Sequence, residues 1–478
     1  MTDAPLAVVV LAAGEGTRMK SATPKVLHSL AGRSMLGHVL AAAAPLGARH
    51  TVVVVGHGAD EVVEHLAAIA PSASSVVQEP RQGSGHAAGL ALAAVPDLDG
   101  IVVILNGDVP LLTAATLRTL VEEHRDTKAA MTVLTARVPD PTGLGRILRA
   151  ADGTVTGIVE HREADEGQLG IDEVNAGAYV ADAPLLREAV HRLSTDNSQG
   201  EQYLTDAIGL LVGAGHVVHG DPAADHIDTL GCNDRVELAA RRRTLNDRIL
   251  IRWMRAGVTV VDPATTWVDV DVELEPDVTL MPGTALTGRT RVGAGAVVGP
   301  DTTLTDCVVG PGASVVRSHC LSAEIGPEAT VGPFSYLRPG TRLARAAKAG
   351  AFVEIKASDI GAGAKVPHLS YVGDASIGEG TNIGAATVFV NYDGVDKHRT
   401  TIGRHARTGA DNMFVAPVSV GDGAYTAAGS VITDDVPAGA MAVARARQRN
   451  IAGWVRRRRA GSSADRAAAE AEQRGGEQ

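Results

Sequence analysis

Two sets of residues have the types and spacing to do chemistry. The first lies near the start of the chain, in Leu11-Ala12-Ala13-Gly14-Glu15-Gly16-Thr17-Arg18, with Pro24-Lys25 following. Gly14 and Gly16 let the backbone turn tightly and present successive N–H groups, which cradle phosphate oxygens. Arg18 and Lys25 add positive charge where a polyphosphate would lie. Asn106-Gly107-Asp108 brings a carboxylate that suits Mg²⁺, an ion that takes one or two protein oxygens and completes its octahedron with phosphate and water. Taken singly, the glycine turn reads as an ordinary strand–helix connection and Asp108 as a turn-forming residue. The loop is no dinucleotide fingerprint, since the third glycine is missing, and no P-loop. The second set lies in the last third of the chain. Arg338 stands before a Pro-Gly corner. Glu354 and Lys356, two apart, share one face of an extended segment. His368 and Tyr371 follow, and Asn382, Ala385 and the turn Asn391-Tyr392-Asp393-Gly394 come next. Alone, His368 reads as a satisfied structural histidine.

The elements that must position the first set alternate as strands and helices. Ala7–Leu11, Thr51–Val55, Ser75–Gln78, Gly100–Leu105 and Ala130–Ala136 are short aliphatic runs that predict buried strands. Met35–Ala44, Ala59–Ala70 and Ala114–His124 predict helices between them. The result is a doubly wound, Rossmann-like α/β sheet, mostly parallel, whose ligands bind beyond the carboxyl ends of the strands. Val236–Gly257 predicts one linker helix, with Leu245, Ile249 and Trp253 on one face and Gly257 as its stop.

The second set sits on a six-residue period. Val292, Val298 and Leu304 begin it; Ile325, Val331, Leu337 and Leu343 continue it. Ile360 with Val366 and Ile377 with Ile383 follow, and Ile402, Thr408, Phe414, Val420, Thr426 and Ile432 close it. Neither a helix nor a simple strand has this period; a parallel β-helix of hexapeptide repeats does. Breaks in phase at 305–324, 344–359 and 388–401 are expected to be loops leaving the coil. Domain limits follow: 1–235, the linker helix 236–257, a β-helix over 258–459, and a tail over 460–478 whose composition predicts disorder.

The bulk numbers set outer limits. The chain has 478 residues, enough for two or three domains, and 45% hydrophobic content, enough for packed cores. Its net charge of −11 opposes general nucleic-acid binding, with Arg456–Arg459 the one basic patch. Cys232, Cys307 and Cys320 have no metal or disulfide-framework spacing. The first residues have no basic signal region and no apolar run long enough to insert into a membrane, so a cytoplasmic chain is expected.

The string LAAGEGTRM…PK closely resembles the signature of the sugar-nucleotide pyrophosphorylases (nucleotidyltransferases). With the hexapeptide prism behind it, the chain as far as about Arg459 resembles the bacterial family of bifunctional N-acetylglucosamine-1-phosphate uridyltransferase / glucosamine-1-phosphate N-acetyltransferase enzymes. The resemblance implies that Leu11, Ala12, Ala13, Gly14, Arg18 and Lys25 meet UTP. Gln78, with Gly83 and Ser84, matches the uracil readers, Ser84 standing where the family has Thr. Asn106 and Gly107 precede Asp108, which matches the metal carboxylate. Gly145, Glu160 and Asn175 match residues that hold the sugar; Leu144 replaces the family's usual Tyr. Asn233 falls on the second metal ligand, with Asp234 the competing candidate one residue on. His86 and His161 have no nucleophile partner and read as structural.

For the second set the resemblance implies a left-handed β-helix acetyltransferase, homotrimeric, with sites shared between subunits. Arg338 and Lys356 then grip the sugar phosphate, Tyr371 and Asn382 hold the sugar, and Asn391 and Tyr392 lie beside it. Ala385, Ala410, Ala428 and Arg445 line the acetyl-CoA groove, Ala410 standing where the family commonly has Ser. A histidine titrating near neutrality suits the general base that an amine needs before it attacks a thioester, so His368 takes that role, and Glu354 is a candidate to orient it. The implied substrates are glucosamine-1-phosphate, N-acetylglucosamine-1-phosphate, UTP and acetyl-CoA, with Mg²⁺, in supply of cell-wall precursors. Two other readings use the same folds: a single-activity pyrophosphorylase whose solenoid only oligomerises or regulates, and a non-enzymatic assembly subunit. His368 with Lys356 and Arg338 argues against the first, and Lys25 and Asp108 with Asn233 against the second.

Overall fold

The computed structural model describes residues 5–475, which form two compact units dividing between Cys307 and Val308. In the first, strand Leu6–Ala12 is the centre of the sheet, flanked in parallel by His50–Val55 and Ile101–Asn106. Outward from these lie Ser74–Val77 on one side and Glu173–Asp182, Met131–Arg137 and Val218–Pro222 on the other. Only Glu173–Asp182 runs antiparallel to its neighbours within that series. The central strand is aliphatic throughout because both faces are covered. Ala7 and Val9 join one core and Leu6, Val8 and Val10 the other.

The linker helix spans Arg235–Arg255 and is capped by Asp234, whose Oδ1 accepts from the N–H groups of Val236 at 2.9 Å and Glu237 at 2.8 Å. The chain leaves it at Gly257, where φ is +94°. Asn246, fully buried, stitches the helix to the first coil: it donates to Thr266 O at 2.8 Å and accepts from Val268 N at 3.0 Å. Short strands from Thr259–Val260 to Thr303–Thr305 then pair in parallel with the next coil. These coils belong to the compact unit of the α/β sheet, so the unit boundary lies beyond the composition change at Gly257.

The second unit is a left-handed parallel β-helix of hexapeptide repeats, its strands stacking into three parallel sheets. Every aliphatic or aromatic residue of the six-residue series is buried, as are Thr408 and Thr426. The expected loops at 305–324 and 344–359 are absent; those stretches are regular coil. Buried Leu304, Val309, Val315, Cys320 and Ile325 show the reason: some sides of the coil have five residues rather than six. On the five-residue sides the left-handed corner falls two residues after the inward side chain, at Asp306, Arg317, Ser322, Ala357 and Asp374. On sides of six it falls three after, as at Glu328, Phe334, Phe352 and Leu369. Of the three breaks, 388–401 alone holds a loop, between strands Val388–Val390 and Thr400–Ile402.

The tail is also corrected. Ser463–Gly475 is helical, with the Ser462 hydroxyl accepting from Asp465 N at 3.2 Å and Arg456 paired to Glu472 at 2.9 Å. Its Ala, Glu, Gln and Arg are strong helix formers, a preference that composition alone does not register. The remainder of the expected disordered tail, 476–478, lies outside the described residues. No described helix is long and apolar enough to cross a membrane, and all three cysteines are buried thiols outside any disulfide.

Two candidate active sites

The first site forms where the strands of the α/β sheet end. Strands Leu6–Ala12 and Ile101–Asn106 run side by side, so Leu11 lies opposite Asn106 and Gly107 N donates to Leu11 O at 2.9 Å. Lys25 enters from the glycine loop because Gly16 yields space: its φ is +66°, and a Cβ there would lie 2.6 Å from Lys25 Cβ. Lys25 Nζ donates to Asp108 Oδ2 at 2.5 Å and to Asn233 Oδ1 at 2.8 Å. Asn233, not Asp234, faces this point, since the Asp234 carboxylate caps the linker helix.

One carboxylate oxygen and one amide oxygen thus converge on a cation. That hard-oxygen pair fits Mg²⁺ arriving with phosphates, which needs no more from the protein. Among the described residues no group of three or more His, Cys, Asp or Glu side chains gathers as a metal cage. Cys232 stands beside Asp108, its N–H donating to Asp108 O at 3.0 Å; burial pushes its thiol up to about 11, so it takes no part as a thiolate.

Two neighbouring cavities share Ser84 and Glu201 in their walls. One, of about 570 Å³, is lined by Leu11, Ala13, Gly14, Gln78, Gly83, Ser84 and Asn106, with Arg81 and Glu201. Buried Gln78 donates to Gly83 O at 2.8 Å and so fixes the turn, and Ser84 Oγ accepts from Leu204 N at 3.0 Å. The other, of about 420 Å³, holds Arg18, Ser84, Glu160, His161, Glu201 and Tyr203. Burial, then the nearby Glu163 charge, holds the Glu160 carboxyl above its ordinary range. Gly145 lies against it: a Cβ there would be 3.5 Å from Glu160 Oε1. Asn175 donates to Tyr179 Oη at 2.7 Å and accepts from Gly177 N at 3.0 Å, which fixes its amide. Leu144 packs against Ala136, Val138 and Val174 instead of facing a cavity.

His161, read from sequence as structural, lines the second cavity. Sequence reasoning missed Arg81, Glu201 and Tyr203. Glu201 and Tyr203 lie on a segment without strand or helix, where no period marks them, whereas Arg81 sits inside the Gln78–Ser84 motif and was there to be found.

The second site is on the β-helix. Arg338 Nη1 donates to Glu354 Oε1 at 3.0 Å, one coil to the next in a single sheet. Glu354, the candidate to orient His368, is bonded in this chain to Arg338. Glu354 extends from the sheet of Tyr336–Leu337, while His368 ends the strand Lys365–His368 in another sheet, so the guanidinium takes the carboxylate. The His368 ring is exposed and makes no hydrogen bond among the described residues. Tyr371 follows on the strand paired to Glu354–Lys356, and Asn382 bridges to Lys365 and Arg407. Lys356 Nζ lies 3.2 Å from Asp374 Oδ2, and buried Asn391 donates to the same oxygen at 2.5 Å. Tyr392 is exposed, its hydroxyl donating to Gly394 O at 2.6 Å.

Ala385, Ala410 and Ala428 stack on successive coils, linked by Asp411 N to Ala385 O at 2.7 Å and Gly429 N to Ala410 O at 2.9 Å. Arg445 comes next, its Cδ 3.8 Å from where a Gly429 Cβ would lie. The column consists of small side chains with Arg445 at one end.

Comparison with known proteins agrees with both halves. Residues 8–168 match the MobA-like NTP transferase domain family. The chain is 60% identical over 466 residues to the "Bifunctional protein GlmU" of Streptomyces coelicolor, covering 97% of each chain. It is 58% identical to that of Thermobifida fusca over 474 residues and 54% identical to that of Corynebacterium efficiens over 475, covering 98% of each chain in both cases. At this identity over nearly the full length of both partners, the chain belongs to the bifunctional GlmU family.

Proposed function

We propose that this chain makes UDP-N-acetylglucosamine in two steps at two separate sites, for cell-wall precursors in the cytoplasm. The β-helix site moves an acetyl group from acetyl-CoA to the amine of glucosamine-1-phosphate. The strand-end site joins N-acetylglucosamine-1-phosphate to the uridylyl group of UTP and releases pyrophosphate. The observation that carries this reading is the convergence of Lys25, Asp108 and Asn233 at 2.5 and 2.8 Å.

At that site the loop Leu11–Gly14 offers N–H groups to phosphate, and Gln78, Gly83 and Ser84 read the uracil. Asn106 lines the same cavity, and Gly107, bonded to Leu11 O, follows it. Gly145, Glu160 and Asn175 hold the amino sugar. A Mg²⁺ ion held by Asp108 and Asn233 supplies charge neutralisation at the phosphates when bound. Arg18 and Lys25 add to that neutralisation, and the chain's main work is to align the sugar phosphate with the α-phosphorus.

At the second site Arg338 and Lys356 receive the sugar phosphate, and Tyr371 and Asn382 hold the ring. Asn391 and Tyr392 lie beside the sugar, and Ala385, Ala410, Ala428 and Arg445 border acetyl-CoA. His368 takes a proton from the amine as nitrogen attacks the thioester carbon; the carbon–sulfur bond breaks and CoA leaves as the thiol. Glu354 holds Arg338 rather than the base. A homotrimer is supported by the exposed apolar corners Phe334, Phe352 and Leu369, 52%, 58% and 62% exposed, beside His368.

Single substitutions test the reading. Asp108→Ala removes pyrophosphate release and spares CoA release, and His368→Ala does the reverse. Loss of both activities in either variant would contradict two separate sites.

A further inference from the structure

Asp374 has no role in the reading above, yet its carboxylate joins two residues of the β-helix site. It follows Gly373 at a left-handed corner, φ +50°. Its backbone is pinned on both sides: its N–H donates to Lys356 O at 3.0 Å, and its carbonyl accepts from Thr400 N at 3.3 Å. Its side chain accepts from Lys356 Nζ, at 3.2 Å to Oδ2 and 3.4 Å to Oδ1, and from Asn391 Nδ2 at 2.5 Å. Gly373 opens the way for that approach, since a Cβ there would lie 2.6 Å from Asn391 Nδ2 and 2.5 Å from Tyr371 Oη.

Other turn aspartates behave differently. Asp306 accepts from Arg289 N at 2.9 Å and Asp422 from Arg404 N at 2.7 Å, so each fastens one coil to the next through the backbone. Among the described residues the Asp374 carboxylate accepts no backbone N–H. Its donors are two side chains that the proposed reaction uses.

The local charges point the same way. The Lys356 and Asp374 side chains are only 17% and 19% exposed, so solvent screens their attraction less than that of a surface pair. Burial by itself would lower the Lys356 pKa; the Asp374 bond turns the balance, and the ammonium is held above its ordinary value. Lys397 approaches Lys356 and is shifted down mainly by that contact. Asp374 is thus the carboxylate bonded to a lysine that also meets a second cation.

We infer that Asp374 is a positioning residue for acetyl transfer: it fixes the Lys356 ammonium and the Asn391 amide where the phosphorylated amino sugar must be received. The inference rests on the acetyl-transfer reading above.

The test is Asp374→Asn in the full chain, with CoA release measured against glucosamine-1-phosphate and against acetyl-CoA. The expected result is a fall in kcat/KM for the amino sugar of between about tenfold and hundredfold, carried mainly by KM. The KM for acetyl-CoA and the rate of pyrophosphate release should stay unchanged. Asp374→Asn added to Lys356→Ala should cost little beyond Lys356→Ala alone, because the two act as one unit. Full additivity with both Lys356→Ala and Asn391→Ala, or unchanged amino-sugar kinetics, would overturn the inference while leaving the acetyl-transfer reading intact. Absence of CoA release from the unsubstituted chain would overturn both. Should Asn melt the coil, Asp374→Ser replaces it, since Ser322 already occupies a left-handed corner at φ +44°.

Discussion

The Lys25 ammonium lies 2.5 Å from Asp108 Oδ2 and reaches Asn233 Oδ1 as well, so a protein cation stands between two oxygens suited to a metal. Binding a divalent cation there must displace Lys25, which is then free to meet a phosphate. Lys25→Met should therefore raise the affinity of the nucleotide-free chain for Mn²⁺, read by calorimetry. The same change should slow pyrophosphate release by on the order of a hundredfold to a thousandfold. Unchanged or weaker Mn²⁺ binding would separate Lys25 from the metal position.

Asp234 and Asn233 are neighbours with different duties. Asp234→Ala removes the cap of a 21-residue helix. It should lower stability by about 1 kcal/mol, seen as a shift in thermal midpoint of about 2–4 °C. Metal affinity at the Lys25 point should not change. A large loss of Mn²⁺ binding in this variant would make Asp234 a ligand.

Glu160 links stability to pH. Burial and Glu163 hold its carboxyl above the ordinary value, so the fold prefers the protonated form. Its stabilising contribution is complete below the unfolded carboxylate pKa and is lost as pH rises through the raised folded value. Glu160→Gln, neutral at every pH, should melt a degree or two higher than the parent, roughly, near pH 7, with no such gain at pH 3–4. It should also weaken use of N-acetylglucosamine-1-phosphate. A lower midpoint at pH 7 would contradict the assigned sign.

The β-helix shows what a sequence makes legible. Ile325, Val331, Leu337 and Leu343 repeat because each must fill the same interior, and that demand writes a period into the chain. The glycine loop with Lys25, and the strand-end Asp108, were visible for a similar reason: tight turns and phosphate charge require particular residue types. The five-residue sides at Val309 and Cys320 were not visible as coil, because a corner moved by one residue breaks the period without breaking the fold. Partner choice was hidden too. Glu354 could face His368 or Arg338 in an extended segment, and only the register between coils decides for Arg338. Glu201 and Tyr203 reach the cavities from an irregular segment, where position depends on tertiary contacts alone.

Ala410 tests the groove. It is exposed within the column of Ala385 and Ala428 and offers no hydroxyl. Ala410→Ser should add one hydrogen bond of about 1 kcal/mol, lowering the KM for acetyl-CoA by roughly fivefold and leaving that for UTP unchanged. An equal effect on both substrates, or none, would remove the column from acetyl-CoA binding.

The most direct measurement is one reaction mixture of the full chain with glucosamine-1-phosphate, acetyl-CoA, UTP and Mg²⁺, its products resolved by chromatography. The account predicts UDP-N-acetylglucosamine, together with CoA and pyrophosphate. Product formed only when N-acetylglucosamine-1-phosphate replaces the unacetylated sugar would contradict a working β-helix site, and no product from either sugar would contradict the account as a whole.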